Sequence, residues 1–446
     1  MNVLIDFVTS RWNKVAVLIF VMSVSGCGGS GSAGNTASPA NQRDAAYQDA
    51  FRVDSTEDEV DAVPGDLLCE SEMGRCTLRA AVMEANASGV NAAGDRHTII
   101  VPQGVYMLNI PNALGTSDLG LDAVLSRQII ESDATGSLRL SVPMNIYGAG
   151  ARKTVINAQQ LDRVFELGIG ADSTLADMTI TGGAGNTLGG GIYAQAHLKV
   201  QRVLITGNLA GGGGGIFVNP LGSLEMNDST VSYNTAGSQA GGIRIDTRGT
   251  ITNSTISHNE ALGTAAPVAG GTGVPFFFAQ GGGVDIRGLN VIIRNSTIAF
   301  NRAADGGGGI HFDSVYFDAL PDPITGAVAV PLFDLILENT IVANNSSDVP
   351  SADCLTTLGL SRILSQGNNL DSDDSCGLNQ SSDLPGVNPM LAELEDYGGD
   401  TDTHALLPSS AARNAGNLTT CTMADQRGVA RGENGKCDIG AFEADF

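Results

Sequence analysis

One unit recurs through the middle of this chain and restricts the folds open to it. Between Thr98 and Asn345 the segments NDSTVSYNTA, TNSTISHNEA, RNSTIAFNRA and LENTIVANNS can be laid over one another. In each copy an asparagine follows an apolar residue by three positions, giving the series Asn208, Asn234, Asn259, Asn301 and Asn344. A second element accompanies each copy: GGGIYAQ, GGGIFVN, GGIRIDT, GGGVDIR and GGGIHFD. The unit returns roughly every 24 to 27 residues, or about 42 where a longer loop intervenes, and such a period marks a solenoid.

The local period says which solenoid. Apolar residues alternate within a unit, as in Ile251, Ser254, Ile256 or Val291, Ile293, Ile298. A side-chain period of two belongs to strands. Three short strands with Gly- and Asn-rich corners make one coil of a parallel β-helix, stacked on the next at about 4.8 Å. The fold class expected is therefore all-β, with the asparagines forming a hydrogen-bonded ladder at a corner that tolerates a left-handed backbone. The glycine runs are tight corners; GGGGG at 211–215 is followed by neither the lysine nor the helix of a phosphate loop.

A β-helix has open ends, and open strand edges invite aggregation. CTLRAAVMEANA from Cys76 carries Leu78, Ala81, Val82 and Ala85 on one side of a short helix, which would cover the first coil. Beyond Asn345 the repeat fades into a tail with Pro, Gly and Cys, expected to close the other end.

The N-terminus reads as an export signal. Arg11 and Lys14 precede VAVLIFVMSVSG, an apolar run too short to span a bilayer comfortably. It ends in VSGC, which resembles a bacterial lipobox with Cys27 as the lipidated residue. The expected partition is a lipoprotein signal over 1–26, a Gly/Ser-rich tether over 27–50, an N-terminal cap over 51–97, repeats over 98–350 and a C-terminal cap over 351–446. The localisation expected is exported and lipid-anchored at the outer membrane or cell surface, the periplasmic face being the other placement. Seven cysteines fit this: without Cys27 there remain Cys69 with Cys76, Cys354 with Cys376, and Cys421 with Cys437, three local pairs suited to disulfides. No C-x-x-C pair or nearby histidine supports zinc. The formal net charge of −24 and the lack of a basic run exclude nucleic acid as a partner.

FRVDSTEDEVDAVPGDLLCESEMGRCTLRAAVMEANA resembles the N-terminal CSLREA-type segment of bacterial exported β-helix proteins, with CTLRAA placing Ala80 where the family often has Glu. MNIYGAGARKTVINAQQLDRVFEL looks like the first coils of the same proteins. The tail from DLPGVNPMLAELEDYGGDTDTHALL to KCDIGAFE is similar to their C-terminal choice-of-anchor Q region. The resemblance implies a right-handed parallel β-helix of the pectate-lyase-like superfamily, and it carries no shared reaction with it. A separate sorting signal often follows that region in the family; here Cys27 would supply the anchor. His404, Asp425, Arg427, Arg431, Asp438 and Glu443 fall on the tail motif and are expected to form a polar network inside the cap.

Aligning the glycine-led element sets two columns on one outward sheet face. Tyr193, Phe217, Arg244, Asp285 and His311 form the first; Gln195, Asn219, Asp246, Arg287 and Asp313 form the second. Ala194, Val218, Ile245, Ile286 and Phe312 lie between them and point inward. Long insertions, 261–280 and 314–330, flank the coils of Asp285 and Asp313, and the first of them contains Phe276, Phe277 and Phe278.

Three uses of the face follow. Alternating charges, Arg244 beside Asp285, Asp246 beside Arg287, Arg287 beside Asp313 and Asp285 beside His311, make a stabilising ion-pair ladder worth about 0.2–1 kcal/mol per pair. Tyr193, Phe217 and Asn219 would form a platform for a glycan or other surface ligand. For catalysis, Arg287, Arg244 or His311 would be the base of a polysaccharide lyase, with Ca²⁺ on Asp246, Asp285 and Asp313. A glycoside hydrolase would instead need two carboxylates, such as Asp246 and Asp285, about 6.5–9.5 Å apart. Asp371, Asp373 and Asp374 in DSDDS are a second Ca²⁺ candidate, though without the Gly and closing Glu of an EF-hand loop. The reading adopted is a cell-envelope lipoprotein that displays a β-helix for binding or structure and requires no cofactor; an enzyme on this face is the rival.

Overall fold

The computed structural model describes residues 50–91, 95–112, 133–263, 278–288, 290–313, 333–357, 361–432 and 435–444. Residues 1–49, on which the expected leader, Cys27 and most of the expected tether fall, lie outside the described residues, as do Phe276, Phe277 and the insertion 314–332.

The chain is a right-handed parallel β-helix. Among the described residues parallel strands stack coil on coil into sheets of ten, nine, eight and six strands, so a middle coil carries four short strands where the sequence suggested three. The extra one is the two-residue strand just after the asparagine, such as Thr235–Ala236 or Glu260–Ala261. Inward positions are Leu, Ile, Val, Met, Phe and Ala almost throughout, and they merge into one core running the length of the solenoid. Ala194, Val218, Ile245, Ile286 and Phe312 are all fully buried in it, as the alternation required.

The asparagine ladder is continuous. Asn208 Nδ2 donates to Asn234 Oδ1 (2.9 Å), Asn234 to Asn259 (3.0 Å), Asn259 to Asn301 (3.0 Å) and Asn301 to Asn345 (3.0 Å). Asn345, not Asn344, is therefore the last asparagine rung. Nor do the rungs themselves take the left-handed backbone: the residues before them do, Gly207, Tyr233, His258, Phe300 and Asn344, with φ between 54° and 65°. Three of these turn their rings into a stack on the outer corner, Tyr233 on His258 (4.9 Å) and His258 on Phe300 (5.4 Å). A second corner repeats the device with Asp228, Asn253 and Asn295 at positive φ, each followed by a serine whose hydroxyl accepts the backbone N–H of the coil before.

Asp353 ends the asparagine ladder. Its Oδ1 accepts from Asn345 Nδ2 (2.9 Å), and its Oδ2 accepts from the N–H and hydroxyl of Ser372. Burial outweighs these bonds and, with Asp373 nearby, pushes the carboxyl up to about 6. A carboxyl raised in the folded state stabilises most below its unfolded value, and that contribution is lost as pH rises through the folded value. Unfolding stability is thus expected to fall by on the order of 2 kcal/mol between pH 4 and pH 8 from this group. Urea titrations of wild type and Asp353→Asn across that range check it; an identical pH slope in the variant would refute the assignment.

Both ends are closed. The helix Leu78–Ser88, capped by the Thr77 hydroxyl on Ala80 N–H, buries Leu78, Ala81, Val82 and Ala85. Its Arg79 is buried in an ion pair with Asp58 (2.6 Å). The N-terminal cap also supplies a strand, Phe51–Arg52, paired with His97–Ile100. At the far end the repeats run past residue 350, through Cys354–Thr356, Ser361–Ser365 and Leu370–Asp371. Cys376 and Leu378 then join the main core. All three local disulfides are present, Cys69–Cys76, Cys354–Cys376 and Cys421–Cys437.

The remaining tail departs from the expected end cap. Residues from about 388 turn back and lie along the flank of the nine-stranded sheet. Arg152 pairs with Asp402 (2.7 Å), Thr230 donates to the Asp402 carbonyl, and Thr255 donates to Gln426. Asn253 donates to the Ala424 carbonyl, and Thr297 accepts from Ala441 N–H. These contacts reach one coil after another, which is why the outward Thr and Ser of that sheet are buried. The expected network holds the strap: Asp425 accepts from Arg427 Nε and Nη2 and from Glu443 N–H, and Arg431 pairs with Glu443 (3.0 Å). His404 is buried between the Ala392 carbonyl (2.7 Å) and the Ser257 hydroxyl (2.8 Å), where desolvation pushes it down to about 4.

Candidate functional site

The His311 face is the outer side of the eight-stranded sheet, and its first column has the register read from the glycine runs. Tyr193 lies opposite Phe217, Phe217 opposite Arg244, Arg244 opposite Asp285, and Asp285 opposite His311. The column extends to Arg139 and Glu166 at one end and Leu355 at the other. The second column, Gln195, Asn219, Asp246, Arg287 and Asp313, follows one residue past each strand and donates its N–H groups to the preceding coil.

The face is not open, which corrects the expectation of an exposed block. Asp285 and His311 are 0% exposed and Phe217 is 2% exposed. Asp246 is buried, while Tyr193, Asn219, Arg244, Arg287 and Asp313 are half-buried. Phe217 therefore offers no ring to a ligand. It stacks on Tyr193 (5.4 Å between centroids), and the pair is sandwiched between the guanidinium groups of Arg244 and Arg163, each 5.3 Å from a ring. Asn219 donates to the Tyr193 hydroxyl at 3.3 Å.

The charges pair differently from the checkerboard read in the sequence. Arg244 forms a two-pronged bond with Asp246 in its own coil (2.9 and 3.1 Å), and Arg287 reaches back to Asp285 (3.1 Å). Residues two apart share a face, so a long guanidinium side chain meets its own strand's carboxylate first. Across coils, Asp285 still takes His311 Nδ1 at 2.6 Å and stands 3.9 Å from Arg244. Asp313 Oδ1 is buried without a partner among the described residues, so the Arg287–Asp313 pair does not form. Burial alone would raise the Asp285 carboxyl, but the His311 hydrogen bond and the charges of His311, Arg287 and Arg244 hold it below its ordinary value. An ionised carboxylate with both oxygens engaged is a poor general acid. His311 Nε2 faces the Thr357 hydroxyl at 3.4 Å, giving a base oriented by a carboxylate but closed to solvent.

For Ca²⁺, the DSDDS turn has the carboxylates of Asp371 and Asp373 already accepting hydrogen bonds. Asp371 accepts from the N–H groups of Cys376 and Gly386, and Asp373 accepts from Ala352, Asp353 and Ser375. Asp374 takes a left-handed backbone, φ 61°. Among the described residues no three or more His, Cys, Asp or Glu side chains are grouped to hold a metal ion. Sequence reasoning missed Arg163 and its ion pair with Glu166 (3.0 Å), because the RVFEL coil lacks the glycine run that anchored the alignment. The alternation in that segment was the available signal.

No family model matches the chain, and no curated protein matches it. Among solved structures, that of pectate lyase Pel9A is similar to it with a TM-score of 0.39 and 13% identity, over 89% of this chain and 97% of that one. The β-helix itself rests on the strand registers above.

Proposed function

We propose that this chain is an exported β-helix, tethered to the envelope through Cys27, that binds a surface ligand such as a glycan without turning it over. The observation that carries this is the closure of the charged block: Asp285 and His311 are fully buried and bonded to each other, so neither meets a substrate. Three disulfides suit a protein working in an oxidising compartment. The half-buried rim of the eight-stranded face, Tyr193 with Asn219, is the part offered to a ligand there.

The enzyme reading keeps one observation, the orientation of His311 by Asp285, which is how a general base is held. One experiment separates the two. Residues 28–446 are titrated with neutral and uronate polysaccharides, with and without Ca²⁺, while ultraviolet absorbance and new reducing ends are followed. The expected result is binding without product, weakened about tenfold by Tyr193→Ala. Turnover abolished in a folded His311→Ala variant would establish the lyase or hydrolase instead.

A further inference from the structure

We infer a site for an arginine side chain of a basic peptide at the open end of the aromatic stack Tyr233–His258–Phe300, on the outer corner beside the strap. It lies apart from the His311 face and takes a cation, so it does not rest on the reading above. Register fixes the corner. One residue past each strand of the nine-stranded sheet stand Gly182, Gly207, Tyr233, His258, Phe300 and Asn344, in successive coils. Rings therefore begin at Tyr233, and the two coils before it carry only glycine. His258 covers one face of the Tyr233 ring at 4.9 Å; no side chain of the corner covers the other, and Tyr233 is 54% exposed. A Cβ on Gly207 would meet nothing among the described residues nearer than the Thr181 hydroxyl at 3.3 Å, so the place of a next ring is open. The far end of the stack is closed, with the His404 ring 5.0 Å from Phe300.

The same molecule shows what closes such a stack. The Tyr193–Phe217 pair has the Arg163 guanidinium over one ring and that of Arg244 over the other, each at 5.3 Å. In the strap, Phe442 lies 3.5 Å from the Arg427 guanidinium. A guanidinium is planar and weakly hydrated, so it lies flat on a ring face as another ring would. One coil step beyond Tyr233 is about 4.8 Å, inside the roughly 6 Å over which a ring holds a cation.

Nearby carboxylates make the open face select a cation. The strap strand Leu391–Glu395 is held against the stack: His404 Nδ1 meets the Ala392 carbonyl at 2.7 Å, and Leu394 pairs with His404. Glu393, between these two, is exposed and makes no ion pair with any described residue, and the same is true of Glu395. Burial raises the Tyr233 hydroxyl, and the charges of Glu393 and Asp402 add to the effect, which places both carboxylates in reach of the ring. Asp402 already pairs with Arg152, leaving Glu393 as the carboxylate open to a ligand. Burial holds His258 below its ordinary value, so at neutral pH it sets no competing charge behind Tyr233. Two unpaired carboxylates on one strand, in a chain of formal charge −24, suit a basic segment better than a single free cation.

The test is titration of residues 28–446 into a dye-labelled octapeptide of alternating glycine and arginine, followed by fluorescence anisotropy. Two control peptides carry citrulline, which keeps the plane and loses the charge, or lysine, which keeps the charge and loses the plane. The arginine peptide is expected to bind about tenfold tighter than the citrulline peptide and about threefold tighter than the lysine peptide, weakening as salt rises. Tyr233→Ala, an exposed change, is expected to bring it down to the citrulline level. Gly207→Phe should do the same by supplying the missing ring, at a corner where Phe300 already takes the same backbone (φ 65° against 58°). Glu393→Gln should cost about threefold. Equal affinity for the citrulline peptide, or a Tyr233→Ala variant that binds like wild type, would overturn the site. Equal affinity for the lysine peptide would overturn the guanidinium as its ligand, and arginine amide binding as tightly as the peptide would overturn the basic segment as its partner.

Discussion

Asp285→Ala is expected to lower unfolding stability by about 3–5 kcal/mol, the cost of breaking a buried ion pair by removing one partner. The carboxylate is fully buried and serves three partners: the His311 ring at 2.6 Å, Arg287 at 3.1 Å and Arg244 at 3.9 Å. Alanine leaves the imidazole Nδ1 and the Arg287 Nε without their acceptor inside a face that admits no replacement water freely. Chemical denaturation with fluorescence detection would measure the loss. The companion Asp285→Asn keeps an oxygen for His311 and surrenders only the charge, so it should fall between wild type and alanine. A loss below about 1 kcal/mol in the alanine variant would show that the block is not closed. It would then have to be treated as a ligand site whose charges face solvent.

The order of these effects tracks what a sequence can and cannot carry. The asparagine ladder was legible because each rung repeats with the coil. The last rung was misplaced by one, since Asn344 and Asn345 are adjacent and only the backbone reveals that the residue at positive φ precedes the rung. The register of Tyr193, Phe217, Arg244, Asp285 and His311 was legible for the same reason: glycine runs mark where each strand begins. Burial of that column was not, because it depends on how side chains such as Arg244, Arg287 and Thr357 lie over the face. The pairing was misjudged too, since neighbour relations on a lattice do not say whether Arg244 reaches along its strand to Asp246 or across to Asp285.

The flank strap was the least legible part, and its keystone is where the second large effect is expected. Arg431→Ala should release residues 400–444 from the nine-stranded sheet while the coils stay folded. Arg431 is buried, donates to Glu443 (3.0 Å), and also holds the Asp438 and Gly440 carbonyls (3.1 and 2.6 Å). Without it Glu443, whose carboxyl burial already raises, is left buried and unpaired beside Asp438. The local cost is again about 3–5 kcal/mol. The strap's grip on the coils elsewhere is a set of single contacts: Arg152 with Asp402 (2.7 Å), Ile439 and Leu406 clustered with Ile341 and Leu370, His404 against Phe300. The asparagine ladder bonds only coil to coil, so losing the strap removes none of its rungs. A segment with its own few anchors opens below the global unfolding energy. Hydrogen exchange should therefore accelerate roughly 10²- to 10³-fold at Gln426, Ile439 and Gly440 and stay slow at Asn234 and Asn259. Equal acceleration in both sets would mean that strap and solenoid unfold as one unit, and that the tail is part of the fold's core.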